Sequence, residues 1–309
     1  MISFVIRTKN EEDKLEKTLE SIKQQDGAIN SEVIIVDSGS TDNTLKIARK
    51  YNCIIIEIAP EDFSWGYALN VGIKQANGEI VALISGHCVL KDKMCLSNLE
   101  NVFKCNPDVD VIYGCQCGDE EEDPFEKLNN LKIYPDVKGI HYISVEPVYS
   151  STISSACTFL RKDVWDNQKF DENVQSCEDA KWAKDLQELG HQLAYSGDIK
   201  VMHSHLLKAE YLYRKSYWRE FEMVKLRKEN YNLFYYILKF MIKHMISDSI
   251  EWNKQARHYK QDIGLWLILK YVYITNRAQL AACFDAKKGE RQIKYSDLQL
   301  PKWLRTIKL

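Results

Sequence analysis

Two adjacent carboxylates, Glu178 and Asp179, are the residues of this sequence whose types and position most directly suggest chemistry. They begin a segment with helical spacing whose apolar side is formed by Trp182, Ala183 and Leu186. Gly190 is placed to end this helix, because glycine adopts the left-handed cap conformation at little cost. A carboxylate at a helix N-terminus is stabilised as the anion by the helix dipole, which suits a general base. The alternative is a simple helix cap, and the pair taken alone favours that alternative.

Four short apolar runs in the first 90 residues are typical of buried strands, and they span 2–6, 32–36, 53–58 and 80–84. Segments with helical spacing alternate with them, which predicts parallel βαβ units and a doubly wound α/β sheet. Ligands bind such sheets at the carboxyl ends of the strands, so the loops at 7–10 and 37–42 should line one cleft. The sequence contains neither GxGxxG nor GxxxxGKS/T, so neither a dinucleotide fingerprint nor a Walker loop is predicted.

Three histidines follow predicted strands. His87 belongs to Ser85-Gly86-His87, directly after the fourth apolar run, whereas His203 and His205 follow a predicted strand at 199–202. In an extended chain, His203 and His205 place both rings on one side, because side chains alternate with a period of two. The pattern therefore allows a metal site. The alternative is one buried histidine in a core hydrogen bond and one exposed histidine.

Composition and charge limit the class of protein. The 309 residues are 45% hydrophobic, which is enough for one large domain or a domain with an appendage. The nine cysteines include no CxxC pair and no secretory signal begins the chain, which predicts reduced thiols and a cytosolic protein. Residues from 206 onward hold 21 basic and 10 acidic side chains, a net +11, whereas the preceding residues hold 21 basic and 34 acidic, a net −13. An acidic body followed by a basic region suggests two functional surfaces.

The order of several motifs resembles glycosyltransferase family 2, whose members have the GT-A fold. In the first half the resemblance rests on the run from Val36 to Asp42, on Asn70-x-Gly72 with Ala76-x-Gly78, and on a strand ending in a polar triplet. In the second half the matching motifs lie at 154–165, 170–172, 178–183, 189–190 and 201–205. The order is most similar to the bacterial rhamnosyltransferase-like branch, and the resemblance covers about residues 1–220. It implies a Rossmann-like, mostly parallel sheet flanked by helices.

The resemblance also predicts a division of the chain. Residues 1–205 are expected to form the catalytic domain, with a nucleotide-binding half at about 1–90 and an acceptor half at about 91–205. Residues 206–309 are expected to form a helical C-terminal region, with apolar helices at 231–246 and 264–273. These helices suggest either packing on the core or on another subunit, or peripheral contact with an anionic membrane. The basic residues match no nucleic-acid-binding module, so no nucleic acid is predicted as a partner.

The donor site is predicted from the family's motifs. The resemblance implies that Asp37 receives the nucleobase and ribose, and a carboxylate can accept hydrogen bonds from both. The alternative is that Asp37 and Ser40 only organise a turn. The complete set predicted to bind the donor nucleotide is Arg7, Thr8, Asn10, Glu11, Asp37, Ser40, Asn70, Ser85, Gly86 and His87.

The predicted cofactor is a divalent cation, Mn2+ or Mg2+, on the diphosphate of a nucleoside-diphosphate sugar. This sequence departs from the family here, because Ser85-Gly86-His87 stands where the family usually has Asp-x-Asp. A neutral imidazole can bind Mn2+ or another transition metal but is a poor ligand for Mg2+, which prefers oxygen. His87 could instead donate a hydrogen bond to a phosphate. The candidate metal ligands are His87, His203 and His205, with His203 ranked before His205.

The resemblance implies an inverting displacement in which Asp179 is the general base and Glu178 supports it. Candidate acceptor contacts are Trp65, Ser154 and Trp182, although aromatic residues at these spacings could equally be core. The predicted reaction transfers a sugar from a dTDP- or UDP-sugar to a glycan or lipid-linked acceptor in surface polysaccharide assembly. The resemblance to the rhamnosyltransferase-like branch favours rhamnose as that sugar. Two rival functions are a nucleotidyltransferase, which would be expected to show a Gly-rich first loop, and a non-catalytic scaffold or sugar-nucleotide-binding protein.

Overall fold

A computed structural model describes residues 1–27, 30–118, 124–143, 153–203, 205, 208–227, 245–258, 263–287, 298 and 301. These residues form two units. The first comprises the described residues within Met1–Glu121, Ile133–Asn173 and Glu178–Ser204, and the second those within Glu122–Lys132, Val174–Cys177 and His205–Leu309. The apolar helix expected at 231–246 lies outside the described residues except at its last two positions.

The first unit contains one sheet, and nine strands of it lie in the described ranges. They are β1 (Ile2–Thr8), β2 (Ser31–Asp37), β3 (Ile54–Glu57), β4 (Ile80–Ser85), β5 (Val89–Leu90), β6 (Val109–Cys117), β7 (His141–Tyr142), β8 (Cys157–Arg161) and β9 (Gln192–Met202). Their spatial order is β3-β2-β1-β4-β8-β6-β9-β5, and β7 also pairs with β9. Six strands run in one direction, whereas β5, β7 and β8 run against their neighbours. The predicted mostly parallel sheet is confirmed.

Ten α-helices lie in the described part of the chain. They are α1 (Leu15–Lys23), α2 (Thr44–Lys50), α3 (Trp65–Gln75), α4 (Cys95–Cys105), α5 (Pro124–Ile133), α6 (Lys162–Asn167), α7 (Glu178–Glu188), α8 (Ala209–Arg227), α9 (Met245–His258) and α10 (Leu265–Lys287). The first unit contains α1 to α4, α6 and α7. The second contains α8, α9, α10 and most of α5. In the ranges described, none of these helices is both long enough and apolar enough to cross a membrane.

Both faces of the sheet are buried, which explains why its parallel strands are continuous apolar runs rather than alternating ones. In β1, Phe4 and Ile6 belong to the hydrophobic cluster on one face, and Val5 belongs to the cluster on the other. The second cluster also contains Trp182, Ala183 and Leu186 of α7, as the helical spacing predicts. Successive side chains of β1 therefore support opposite layers.

Glycine determines how closely α3 approaches the sheet. A Cβ atom at Gly72 would lie 2.4 Å from Val5 Cγ1 and 2.9 Å from Val36 Cγ2, so no larger residue fits without movement. The Asn70-x-Gly72 spacing thus places α3 directly on β1 and β2. Helix α7 is followed by Gly190 with φ +89°, which confirms the predicted helix end.

The second unit has its own apolar core. Trp218 and Phe221 of α8 pack with Ile274, Ala278 and Ala282 of α10. Helix α9 contacts α10 through the Trp252 and Tyr271 rings, whose centroids are 5.1 Å apart. The segment α5 contributes Leu128 to a further cluster that includes Ile268 and Val272. The sequence had placed α5 in the catalytic domain, because its place in chain order does not reveal its packing.

Candidate active site

The predicted donor loops meet at one edge of the sheet. The parallel register pairs Arg7 with Val36 and with Ser85, and it pairs Thr8 with Asp37. The last residues of β1, β2 and β4 therefore lie side by side, where an α/β sheet binds its ligands.

Arg7 is the centre of a buried polar network beside α7. Its Nη1 lies 3.1 Å from Glu178 Oε1, and its Nη2 donates to Ser155 Oγ at 2.9 Å. Ser155 Oγ donates in turn to Glu178 Oε1 at 3.1 Å. The Arg7 and Glu178 side chains are only 11% and 7% exposed, so this is a buried ion pair. Because a buried charge needs its partner, removing either one is expected to cost about 3–5 kcal/mol.

Trp65 covers the guanidinium from another side. Arg7 Cζ lies 4.8 Å from the Trp65 ring centroid, and Nη1 also points to the Trp65 carbonyl oxygen at 3.4 Å. The Trp65 ring is partly exposed, as is Ser154, which directly precedes Ser155. Trp65 and Ser154 remain predicted acceptor contacts beside this network.

Asp179 has the environment of a group that changes protonation near neutral pH. Burial, followed by the negative charge of Glu178, raises its pKa to about 7. Backbone N–H groups of Ser155 and Ala180 donate to its two oxygens at 3.0 and 2.8 Å, and these bonds and Arg7 act in the opposite direction. The helix dipole had led us to expect a stabilised anion. The opposite shift is found because desolvation exceeds the roughly 0.3–1 kcal/mol that a helix end typically supplies.

Ser155 and Tyr113 belong to this region although neither was predicted as a site residue. Ser155 was missed because its neighbour Ser154 seemed equally suitable, and only the fold shows which hydroxyl faces Arg7. Tyr113 is 1% exposed, and in the described part of the chain its hydroxyl has no hydrogen-bond partner. Burial raises the pKa of Tyr113, and the charge of Asp179 adds to this rise. An apolar strand position such as Tyr113 carries no sequence signal for such a role.

Two of the three predicted histidines are in direct contact. His87 Nε2 and His203 Nε2 are 3.1 Å apart. His87 Nδ1 lies 2.9 Å from Glu11 Oε1, and His203 Nδ1 lies 2.6 Å from Gln116 Oε1. Because a carboxylate or an amide oxygen accepts, each Nδ1 is the donor, and the two Nε2 atoms face each other. Gln116 was not predicted, and it meets His203 because β6 and β9 are parallel and in register at their ends.

This pair fits a divalent transition-metal ion. Ligand nitrogens about 2.1 Å from one ion are roughly 3 Å apart when they occupy neighbouring positions, which matches the separation of the two Nε2 atoms. Metal-binding histidines usually donate their other N–H to an oxygen, as His87 and His203 do to Glu11 and Gln116. His205 begins the second unit, where its ring centroid lies 5.3 Å from that of Tyr211.

Asp37 is fully buried and accepts four hydrogen bonds within the fold. The donors are Thr8 Oγ1 at 2.8 Å, the backbone N–H groups of Gly39 and Ser40 at 3.0 and 2.8 Å, and Ser40 Oγ at 2.5 Å. Ser40 Oγ itself accepts from the Asn10 N–H at 2.8 Å. The turn-forming role that the sequence left open is therefore present. Contact of Asp37 with a nucleotide stays a prediction.

Asn70 has a positioning role that the sequence did not predict. Its Nδ2 donates to the Phe170 carbonyl oxygen and to Glu172 Oε1, and its Oδ1 accepts from Trp165 Nε1 and the Phe170 N–H, all between 2.8 and 3.1 Å. Asn70 is buried and these bonds are all internal, so it has a role in the fold, and its contact with the donor stays a prediction. It joins α3 to the loop that precedes α7.

Trp182 is corrected, from a predicted acceptor contact to a core residue. Its side chain is 1% exposed, its Nε1 donates to the Gln168 carbonyl oxygen at 2.6 Å, and its ring stacks on Phe170 at 4.4 Å. A residue so enclosed has no surface to offer a bound sugar.

Comparison with known proteins agrees with this geometry. The model of the family described as Glycosyl transferase family 2 matches residues 3–167. The chain is 25% identical over 230 residues to the O-antigen chain rhamnosyltransferase RfbN of Salmonella typhimurium, covering 72% of this chain and 70% of RfbN. It is 26% identical over 203 residues to the O-antigen chain rhamnosyltransferase WbaN of Salmonella anatum, covering 62% of this chain and 61% of WbaN.

Solved structures of GT-A glycosyltransferases have a similar fold. S. aureus TarS 1-349 in complex with UDP has a TM-score of 0.56 at 17% identity, covering 94% of this chain and 92% of that one. The mannosyltransferase PcManGT from Pyrobaculum calidifontis, in complex with GDP-Man and Mn2+, has a TM-score of 0.53 at 16% identity, covering 99% of this chain and 82% of that one. The fold is GT-A, and because the family match spans more than half of its 309 residues, the chain belongs to glycosyltransferase family 2.

Proposed function

We propose that this protein is an inverting glycosyltransferase that uses a nucleoside-diphosphate sugar, with Asp179 as its general base. The observation that carries the proposal is the Asp179 carboxyl itself. It is partly exposed, it lies beside the ends of the parallel strands, and its pKa is raised to about 7. A base with that pKa is ionised in a large fraction of molecules at neutral pH and still attracts a proton strongly.

In this mechanism the acceptor hydroxyl attacks the anomeric carbon while Asp179 removes its proton. The bond between the anomeric carbon and the diphosphate oxygen breaks, and the nucleoside diphosphate leaves from the opposite face, so the configuration inverts. Arg7, Ser155 and Glu178 hold the base in place through the ion pair and hydrogen bonds described above. No covalent intermediate on the protein is required.

The donor is proposed to lie along the ends of β1, β2 and β4. Thr8, Asn10, Asp37 and Ser40 would contact the nucleoside by exchanging part of their internal hydrogen bonding for bonds to the base and ribose. Glu11, Ser85, Gly86 and His87 would lie near the diphosphate. UDP and GDP-Man bound to the two structural neighbours support a nucleotide ligand in this fold.

A divalent cation would be held by His87 and His203, with His205 as a further candidate two residues along the chain. When bound, it would neutralise charge on the departing diphosphate. The Mn2+ bound to PcManGT supports a cation in this fold. The imidazole ligands favour a transition metal such as Mn2+ over Mg2+.

The substrates are proposed from the relatives. Two O-antigen chain rhamnosyltransferases support a deoxyhexose such as rhamnose, donated from a dTDP- or UDP-sugar, and a glycan or lipid-linked acceptor in surface polysaccharide assembly. We assign catalysis to residues 1–205, divided into a nucleotide half and an acceptor half, and place the reaction in the cytoplasm. The chain is also proposed to associate with further copies of itself as a homo-oligomer.

The test begins with thermal stabilisation by a panel of nucleoside diphosphates, because a ligand that binds the native state raises the melting temperature. One pyrimidine diphosphate is expected to stabilise the protein, and Asp37→Asn is expected to remove the shift. Asp26→Asn, at an exposed position outside the predicted donor loops, is the matched control. Donor hydrolysis and transfer are then followed by NMR, which reports the anomeric configuration. Retained configuration would contradict the inverting mechanism, and binding without turnover would favour a sugar-nucleotide-binding protein.

A further inference from the structure

Helix α10 presents a stripe in which aromatic and basic residues alternate, and its residues are exposed except for Lys270, which is half-buried. Trp266, Lys270, Tyr273 and Arg277 follow one another at spacings of four, three and four residues, which places them on one side of the helix. Trp266 is 78% exposed, and Tyr273 is 37% exposed. A tryptophan so exposed at the start of a helix has little packing role in the unit.

The opposite side of α10 is buried, so residues outside the stripe form the core contacts of this helix. Ile268, Val272, Ile274 and Ala278 are all at or below 1% exposed and belong to the cores of the second unit. The helix therefore has one side that builds the unit and another that is aromatic, basic and mostly exposed. An exposed apolar patch of this kind indicates an interaction surface.

Helix α9 repeats the pattern with aliphatic residues. Ile246 and Ile250 are 59% and 63% exposed, and they are four residues apart on one side of the helix. Lys254 and Arg257 continue this side by two further turns, and both are exposed. On both helices, then, exposed apolar groups are followed along one side by cations.

Charge indicates what these stripes contact. The sequence of α10 contains one acidic residue, Asp285, which lies beyond the stripe and accepts a hydrogen bond from Tyr217. Residues from 206 onward carry 21 basic and 10 acidic side chains. Aromatic rings with neighbouring Lys and Arg suit the headgroup region of an anionic bilayer, where rings enter the interface and cations meet lipid phosphates. In the described ranges no helix can span a membrane, so contact would be at the surface.

We infer that the second unit binds the surface of an anionic phospholipid bilayer through the stripes on α9 and α10, with Trp266 entering the interface. The inference does not depend on the donor site, because none of these residues belongs to it. It supplies a reason for the net positive charge of the C-terminal region that catalysis leaves unexplained.

The test is co-sedimentation of the full chain with two kinds of vesicle. One is phosphatidylcholine alone, and the other also contains about 30–40% phosphatidylglycerol, whose charge gives the surface a negative potential. Binding is expected only to the anionic vesicles and is expected to weaken with salt. The double variant Lys270→Glu, Arg277→Glu should weaken binding at least about 30-fold, since each cation near the surface is worth about 1 kcal/mol. Trp266→Ala should weaken it about 10-fold.

Matched variants in the first unit serve as controls. Tyr142→Ala removes an aromatic residue that is 56% exposed, and Lys46→Glu with Lys93→Glu reverses two exposed cations. Both are expected to bind vesicles as the wild type does. Stabilisation by the nucleoside diphosphate should be unchanged in Trp266→Ala, which separates failure of this inference from failure of the donor site.

Three outcomes would overturn the inference. They are equal binding to neutral and anionic vesicles, equal losses in the control variants, or absence of vesicle binding. If light scattering instead showed a dimer that Trp266→Ala dissociates, the stripe would be an interface between two copies of this chain.

Discussion

Asn70 and Asp179 are both polar residues of family motifs, yet the structure uses them in opposite ways. The Asn70 amide is buried and makes four internal hydrogen bonds. The Asp179 carboxyl is partly exposed, lies next to a second carboxylate, and has a pKa raised to about 7. The hydrogen bonds of Asn70 hold two segments of the chain together. At Asp179, burial disfavours the charged form, whereas the backbone hydrogen bonds and Arg7 favour it.

The difference shows how positioning and reacting residues can be told apart within one motif set. A polar group whose partners are all internal stabilises the fold, and it must give up part of that bonding before it can contact a substrate. A group whose burial and partners act in opposite directions can change its protonation state or its ligand when a substrate binds. In this respect the His87–His203 pair resembles Asp179. Each Nδ1 donates a hydrogen bond to an oxygen of the fold, whereas the two Nε2 atoms lie next to each other, as two ligands of one ion would.

The largest expected effect is on catalysis at Asp179. Asp179→Asn keeps the size of the side chain but removes the base, so transfer is expected to fall by about 10²–10⁴-fold without a loss of melting temperature at neutral pH. Asp185→Asn, on the same helix and paired with Lys181, is the control and should retain activity. A rate for Asp179→Asn within tenfold of the wild type would remove the distinction drawn here.

The histidine pair offers the next largest effect. Gln116→Leu removes the acceptor of the His203 Nδ1 proton, and Mn2+ affinity measured by electron paramagnetic resonance should fall by about 10–100-fold. His203→Ala should lose the bound signal altogether. His191→Ala changes a histidine paired with Asp110 and should have no effect. Mn2+ binding that is unchanged in His203→Ala would show that the pair is not a cation site.

Asn70→Ala is expected to act on stability rather than on chemistry. It leaves buried donors and acceptors of the Phe170 loop unpaired, which should lower the free energy of unfolding by about 3 kcal/mol in urea titrations. Asn106→Ala loses a single bond to the Val102 carbonyl oxygen and should cost about 1 kcal/mol. If Asn70→Ala instead weakened nucleotide binding at unchanged stability, the result would support contact of Asn70 with the donor rather than a structural role.

The pH dependence tests the raised pKa directly. Transfer should rise with pH and level off above an apparent pKa of about 7, because the base must be ionised. Folding stability should behave in the opposite sense. The folded protein keeps the Asp179 proton between about pH 4 and pH 7 whereas the unfolded chain does not, so stability falls as pH rises through this window. Melting temperatures of the wild type and Asp179→Asn at pH 5 and pH 8 measure this difference, and a constant difference would contradict it.

The smallest effect is expected at Tyr113. Its hydroxyl is buried and, among the described residues, has no partner, so Tyr113→Phe removes an unsatisfied group without leaving a cavity. The free energy of unfolding should stay equal or rise by up to about 1 kcal/mol. A loss of stability would show that the hydroxyl has a hydrogen-bond partner in solution.

Much of this molecule follows from local patterns. Apolar runs predicted the strands, helical spacing predicted which side of α7 is buried, and Gly190 predicted where that helix ends. Motif order predicted the family and the sheet edge that gathers Arg7, Asp37 and Ser85. These properties depend on periodicity, on backbone preferences and on the direction of parallel strands, all of which are determined by residues close together in the sequence.

The sequence by itself therefore determined the fold, the family and the candidate residues, whereas the tertiary structure decided the burial and the hydrogen-bond partners of each residue. Only packing shows that Trp182 and Asn70 are enclosed, that Ser155 rather than Ser154 joins Arg7 to Glu178, and that burial outweighs the helix dipole at Asp179. The physical reason is that burial and hydrogen-bond partners come from residues distant in sequence. Glu178 lies 171 positions from Arg7, and His203 lies 116 positions from His87.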